Sequence, residues 1–309
     1  MASAYPRAPG KSDIGSSAMR YIPQLWAGKL LVKYYDQTVL SQITNTDYEG
    51  MIKKQGDTVY IRTRPTLTIR DYQKGQTLVN EQPESEAVTL LIDKGKYWSF
   101  VTDDVDKVQT DIKNFINEWT TDAAEQLKIA IDSDVLGNIY ADAHANNQGQ
   151  TAGRITQGFD LGVAGTPVTL TKANILDYIV DAGTVLDEQN VPEQGRFMLI
   201  SSWAAGLIKK SDLKDASLAG DSTSIMRNGM LGMIDRFKVF HSNLLSGSAA
   251  AGTYMMFGHK DALTFATQLT ESKVQDNPNG FGTLHRGLQV YGYKVQKPEA
   301  LGVIFGAKG

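Results

Sequence analysis

Four histidines, His144, His241, His259 and His285, are the side chains best suited to metal binding or general acid–base work. None stands at i, i+4 from another, and none is spaced with a carboxylate as a metal-ligand set would be. All four read as structural or surface residues. The chain has no Cys, which removes disulfides, thiolate metal sites and thiol nucleophiles. Neither a Gly-x-Ser-x-Gly turn nor a Gly-x-x-x-x-Gly-Lys-Ser/Thr phosphate loop occurs. The Gly-rich stretch NPNGFGTLHRG, residues 277–287, leads into a strand pattern, so no helix N-terminus is there to hold a phosphate. Asp103, Asp104 and Asp106 could hold a divalent cation, but acids at a helix start are favoured by its dipole, and that is our reading. What remains is a set of opposite charges: Arg62, Arg64, Arg70 and Lys74 among Asp71, Glu81, Glu84 and Glu86. Their chemistry is ion pairing. On a segment that reads as having little apolar area at its tip, they are expected to pair across a boundary with another copy.

The elements that position this segment follow from the period of the apolar residues. From Thr58 the period is two: Val59 and Ile61 alternate with Tyr60 and Arg62, then Leu67 and Ile69 with Thr68 and Arg70. Val88, Leu90 and Ile92 form the return limb. The pattern predicts a long two-stranded hairpin over residues 57–93 that projects from the body. An isolated hairpin is marginal in water, so this one needs neighbours to hold its shape. From Asp104 to Ala143 the period is that of a helix. Val105, Val108, Ile112, Ile116, Trp119, Ala123, Leu127, Ile131 and Val135 recur every three or four residues, with no Pro and only Gly137 near the end. At 1.5 Å per residue this predicts a helix on the order of 50 Å long. Such a helix cannot bury itself in one compact domain and must act as a beam for other elements.

Before the hairpin, residues 1–20 are polar with Pro6, Pro9, Gly10 and Gly15, and read as a flexible arm. A first helix follows, with Pro23 in its first turn and an end near Tyr35. Lys96 to Asp104 is a short strand that runs into the long helix. Residues 144–166 are rich in Gly and Asn and read as the linker between two domains. Beyond it the pattern predicts a helix from Thr171 to Gln189, with Thr171 as cap and Ile175, Ile179, Ala182, Val185 and Leu186 as its apolar face. Phe197–Ser201, Phe237–Ser242, Tyr254–Gly258 and Leu301–Gly306 read as strands. Trp203–Lys210 and His259–Leu269 read as helices, and ESKVQD with GLQVYGYKVQ as paired strands. The region from 166 onward is a mixed α+β unit with helices covering a small sheet.

Composition agrees with packed domains. With 309 residues the prior is about two of them, and 41% hydrophobic residues supply their cores. A net charge of -3 argues against a protein built to bind nucleic acid through a basic surface. The start, MASAYPRAPGKSDIGSS, has no apolar core and does not read as a signal peptide. No run approaches 18 apolar residues, so no transmembrane helix and no membrane partner is expected.

The order of arm, helix, projecting hairpin, strand, very long helix, Gly-rich linker and α+β unit resembles the HK97-fold major capsid proteins of tailed bacteriophages. The segment LDEQNVPEQGR, residues 186–196, resembles that family's helix-end motif, in which Asn190, Val191 and Pro192 end the helix and Gly195 allows the reversal. RNGMLGMIDRFKVFHSNLL, residues 227–245, resembles a second family stretch, with Arg236 where a Gly is common. A positive φ there would strain Arg236, so another form of turn is expected. KDALTFATQL and GLQVYGYKVQKPEAL resemble its C-terminal blocks.

The resemblance implies an N-terminal arm and first helix over residues 1–31 and an extended loop over 57–93. It implies a peripheral domain from 32–56, 94–165 and 266–297, built on the long spine helix. The axial domain would be 166–265 with 298–309. It further implies a structural protein, not an enzyme. Copies would form hexamers and pentamers of an icosahedral shell around double-stranded DNA. Portal and scaffolding proteins would be partners, assembly would occur in the host cytoplasm, and no cofactor would be needed. Some relatives join subunits by isopeptide bonds between a hairpin Lys and an Asn, assisted by a Glu. Lys74 with Asn277 or Asn279 would be the counterparts, but no Glu follows them until Glu299, and cross-linking is not expected. The alternatives are an encapsulin-type nanocompartment shell of the same fold and a soluble α+β enzyme or binding domain. The second would need a convergent polar cluster.

Overall fold

The structure, a computed structural model, describes residues 38–47, 58–62, 65, 67–84, 87–103, 115–211, 232–278 and 280–309. The predicted arm and first helix, residues 104–114 of the predicted long helix, residues 212–231, and Arg64, Glu86 and Asn279 lie outside the described residues.

After a one-turn helix α1 (Leu40–Ile43), strands β1 (Thr58–Arg62) and β2 (Ala87–Leu91) pair antiparallel, with Tyr60 opposite Thr89. Strand β3 (Lys94–Thr102) leads toward the spine helix α2 (Phe115–Leu136). Next come β4 (Val168–Leu170), helix α3 (Ile175–Glu188), β5 (Arg196–Ile200) and helix α4 (Ser202–Lys210). The chain continues through β6 (Met233–Ile234), β7 (Phe237–His241), β8 (Gly247–Ser248) and β9 (Gly252–His259). Two long strands, β10 (Leu263–Asp276) and β11 (Thr283–Val295), and a last strand β12 (Leu301–Lys308) complete it.

Two larger sheets result. Seven strands form one, ordered β4-β12-β9-β5-β7-β6, with β8 on β9. Its central strands are the apolar runs RFMLI and LGVIFGA, buried along their whole length, which is what strands covered on both faces require. Helix α3 lays exactly the expected side chains, Ile175, Ile179, Ala182, Val185 and Leu186, into this core. Burying each of the four larger ones is worth roughly 1.5–3 kcal/mol. Its start is a reciprocal arrangement: Asn174 Oδ1 accepts from the Thr171 backbone N–H (2.7 Å) and hydroxyl (3.0 Å), and the Thr171 carbonyl accepts from the Ile175 N–H.

The second sheet is β10-β11-β3, antiparallel throughout. Alternation along β3 turns Trp98 and Phe100 toward the spine helix, where the Phe100 ring meets Trp119 edge-on at 5.8 Å. Tyr97 and Val101 are left exposed on the far face. On that face Ile61, Leu90, Ile92, Ala266 and Val290 form a small separate core that roots the hairpin. Gly292 makes the crossing possible, because a Cβ there would run into the Leu91 carbonyl oxygen.

Two expectations are corrected. The spine helix ends at Leu136, not Ala143. The Asn138 side chain turns back to the Asp134 carbonyl (2.6 Å), and residues Ile139–Asp142 form a tighter 3-10 turn. The predicted helix at 259–269 is a 3-10 turn, Lys260–Ala262, followed by β10. Pairing with β11 from Leu263 to Asp276 overrides the local helical spacing.

A polar knot joins spine to sheet. Asp134 Oδ2 accepts from Tyr291 Oη (2.8 Å) and Lys94 Nζ (3.0 Å), and Lys94 also donates to Tyr293 Oη (2.8 Å). Burial pushes the Asp134 carboxyl up, but the bonds from Tyr291 and Lys94 outweigh it and hold the group below the usual range. Two residues earlier, Asp132 accepts from the Val39 and Leu40 N–H groups, and there burial dominates and raises the carboxyl. The signs are opposite. Asp134 stabilises above the ordinary carboxylate pKa of about 4, and that contribution is lost as pH falls through its lowered value. Asp132 is relieved by protonation. Asp134→Asn should therefore flatten the fall in melting temperature as pH drops below the ordinary carboxylate value of about 4. A pH dependence equal to that of the unsubstituted chain would contradict this role.

Candidate intersubunit surfaces

The hairpin beyond its root carries no ladder among the described residues. Strand pairing stops at Arg62 opposite Ala87, and the predicted alternation at Leu67 and Ile69 is not continued as strand. The limbs are instead clipped by charge. Arg70 Nη2 meets Glu81 Oε1 at 2.6 Å, and Glu81 Oε2 accepts the Thr68 N–H at 3.2 Å. The Thr68 N–H, then the Arg70 guanidinium, lower the Glu81 carboxyl. The tip turns at Lys74–Gly75, where Gln76 N–H meets the Gln73 carbonyl (3.1 Å) and the Gln76 side chain donates to the Asp71 carbonyl (3.1 Å). Of the residues expected to reach another copy, Arg70 and Glu81 thus face one another. Arg62, Asp71, Lys74 and Glu84 stand exposed.

The tip is not short of apolar area. Leu67, Ile69, Tyr72, Leu78 and Val79 are all exposed, Ile69 to 92%. Several large apolar side chains exposed together mark a surface suited to contact with another molecule. The charged residues between them obscured the pattern in the sequence. The signal was there in the pairs Leu67/Ile69 and Leu78/Val79.

The second surface surrounds the end of α3. Asn190 takes φ 58°, and the Val191 N–H returns to the Leu186 carbonyl (3.1 Å) while the Asn190 N–H reaches Asp187 (2.9 Å). This is a left-handed helix stop, so Asn190 ends the helix as well as Pro192. Gly195, at φ 87°, makes the expected reversal, and a Cβ there would lie 2.8 Å from His259 Nε2. Arg196 then reaches back, fully buried. It donates to the carbonyls of Pro192 (3.0 Å), Gly183 (3.3 Å) and Val191 (2.6 Å), and to Asp187 Oδ1 (2.7 Å). Asp187 also receives Arg236 (3.0 Å), which holds Glu193 as well (3.0 Å). Burial raises the Asp187 carboxyl, and Arg196 and then Arg236 bring it below the usual range.

The turn of Asp235 and Arg236 does take positive φ, 42° and 65°, contrary to expectation. A two-residue hairpin between Ile234 and Phe237 requires it. The left-handed conformation costs a non-Gly residue about 1–2 kcal/mol, and the ion pairs of Arg236 with Asp187 and Glu193 act against that cost.

Among the described residues no reactive constellation forms around the histidines. His144 and His259 accept backbone N–H bonds from Asn146 and Asp261 through Nδ1, capping 3-10 turns, and His259 Nε2 sits 2.7 Å from the Gln194 carbonyl. His285 is buried against Phe100 and Thr102, and His241 is exposed. Among the described residues no three His, Asp or Glu converge to hold a metal, and no helix is long and apolar enough to cross a membrane.

Residues 85–304 match the family model for phage capsid proteins. No curated protein matches the chain. A solved structure from Mycobacterium phage Che8 is 25% identical, covers 92% of this chain and 97% of that one, and superposes with a TM-score of 0.75. The capsid structure of cyanophage P-SCSP1u covers 94% of both chains at 13% identity and a TM-score of 0.70. The mature capsid of bacteriophage PhiM1 covers 92% of this chain and 91% of that one, at 14% and 0.67, and shares its fold. These matches do not favour the encapsulin alternative. A hairpin that leaves its apolar tip uncovered, a spine helix knotted to a three-stranded sheet and a motif loop pinned by Arg196 are parts of a shell subunit: the chain belongs to the phage capsid protein family and is a tailed-phage major capsid protein of the HK97-type fold.

Proposed function

We propose that copies of this chain close as hexamers and pentamers into an icosahedral shell around double-stranded DNA. They would assemble in the host cytoplasm with portal and scaffolding proteins. The axial domain would be residues 166–265 and 298–309, with the peripheral domain and hairpin as assigned from the sequence. The observation that carries this is the exposed apolar tip of the hairpin, five large apolar side chains gathered on one projecting element. Arg62, Asp71, Lys74 and Glu84 would pair with a neighbour around that apolar contact, joined by Arg64 and Glu86, while Arg70 and Glu81 brace the hairpin.

Electron microscopy of the purified protein tests the reading. Closed, roughly isometric shells are the expected result. A subunit that stays monomeric under every assembly condition tried, with scaffolding protein included, would overturn it. Mature particles boiled in detergent should also run as a single band near the subunit mass of 33.8 kDa. A ladder of multimers would show covalent joining of subunits and contradict the expected absence of isopeptide bonds.

A further inference from the structure

Strand β10 is an edge of its sheet. Its first residues are met by Asn45, whose N–H reaches the Leu263 carbonyl (2.8 Å) and whose carbonyl accepts the Phe265 N–H (3.1 Å). Beyond the irregularity between Gln268 and Glu271, the strand pairs with β11 alone among the described residues. Residues 271–276 are all exposed. An edge of six residues with outward N–H and C=O groups is a template for another strand.

Proteins commonly blunt such edges with charges that repel a second copy. Here the charges do the reverse. Glu271 and Lys273 flank Ser272, and their side chains meet on one face of the strand at 2.9 Å. A two-fold axis through Ser272 sets Glu271 of one copy opposite Lys273 of the other, twice over. Directly opposed unlike charges stabilise an antiparallel pair, and a contact of this kind is self-complementary by symmetry.

We infer that the distal half of β10 is a two-fold contact between copies of this chain, an antiparallel strand pair centred on Ser272 that merges two three-stranded sheets into one of six. The inference rests on the capsid reading and adds to it a contact separate from the hairpin. No covalent step is involved.

The absence of Cys makes the test direct. In this register the two Ser272 Cα atoms lie about 4.5–5.5 Å apart, within disulfide range. Ser272→Cys particles, oxidised and run without reductant, should yield mostly a band at twice the subunit mass. Val274→Cys should stay monomeric, since its two copies would be displaced by about 14 Å along the strands. Particles that form but give no Ser272→Cys dimer would overturn the contact and leave the capsid reading standing. A Val274→Cys dimer as strong as that from Ser272→Cys would overturn it too, because the register would not pair the charges. Failure of the unsubstituted chain to assemble counts against the capsid reading instead. Where Ser272→Cys itself blocks assembly, a charge swap decides. Glu271→Lys and Lys273→Glu should each cut particle yield several-fold with the subunit's melting temperature unchanged, and the double variant should restore it. Yields unaffected by either single change, or not restored by the double, would overturn the proposal.

Discussion

Arg196→Ala should leave little soluble subunit, and what remains should melt far below the unsubstituted chain. The guanidinium is buried and donates to three carbonyls and one carboxylate, so truncation takes one donor from each of four acceptors at once. Breaking a buried ion pair by removing one partner costs about 3–5 kcal/mol. Asp187 is partly exposed and keeps Arg236, which moderates its share, but the Val191 carbonyl, 2.6 Å from the buried guanidinium, loses its donor. The loss falls where α3 hands over to β5, the central strand of the larger sheet, so it should abolish particles through the subunit's own fold. Arg196→Lys should recover only part of the stability, because an ammonium cannot span acceptors arranged for a planar fork. The check is a thermal melt with soluble yield. A full recovery by Lys would mean that charge alone matters and that the hydrogen-bond geometry described here does not.

Helix α3 and strands β5, β7, β9 and β12 were legible in the sequence because their evidence is local: a period of residues bounded by Gly, Pro or Asn. The segment 259–269 was misread for the converse reason. Its spacing of Ala262, Ala266 and Leu269 is helical, and what decides it is pairing with β11, from Leu263 with Val295 to Gln268 with Val290. The same holds for Arg70. As a charge on a polar loop it is free to pair outward. The hairpin brings Glu81 beside it across eleven residues, a register that no motif announces. Arg236 shows the opposite case. The departure from Gly was visible in the sequence, but its compensation by Asp187 and Glu193 required the fold.

The hairpin tip should be the dominant assembly surface, and its contribution should be apolar before it is electrostatic. Exposed ion pairs are worth about 0–1 kcal/mol each, and the Arg70–Glu81 pair is already made within the chain. Covering Leu67, Ile69, Tyr72, Leu78 and Val79 on a neighbour would bring roughly 1.5–3 kcal/mol per fully buried side chain. Ile69→Asp with Leu78→Asp should therefore abolish closed shells. The subunit itself should hardly notice, since surface changes away from packed features usually lie within about 0.5 kcal/mol of neutral. Salt separates the two contributions. Screening weakens exposed charge pairs, with a Debye length of about 3 Å at 1 M, while apolar burial is not screened. Preformed particles should thus survive about 1 M salt in which charge pairs are screened. Reversal of Lys74 and Glu84 should lower yield only modestly beside the Asp variants. Particle yield by sedimentation and subunit melting temperature, measured together, give the answer. Shells that assemble normally with both Asp residues in place, or a subunit destabilised as much as its assembly, would remove the apolar tip from the interface.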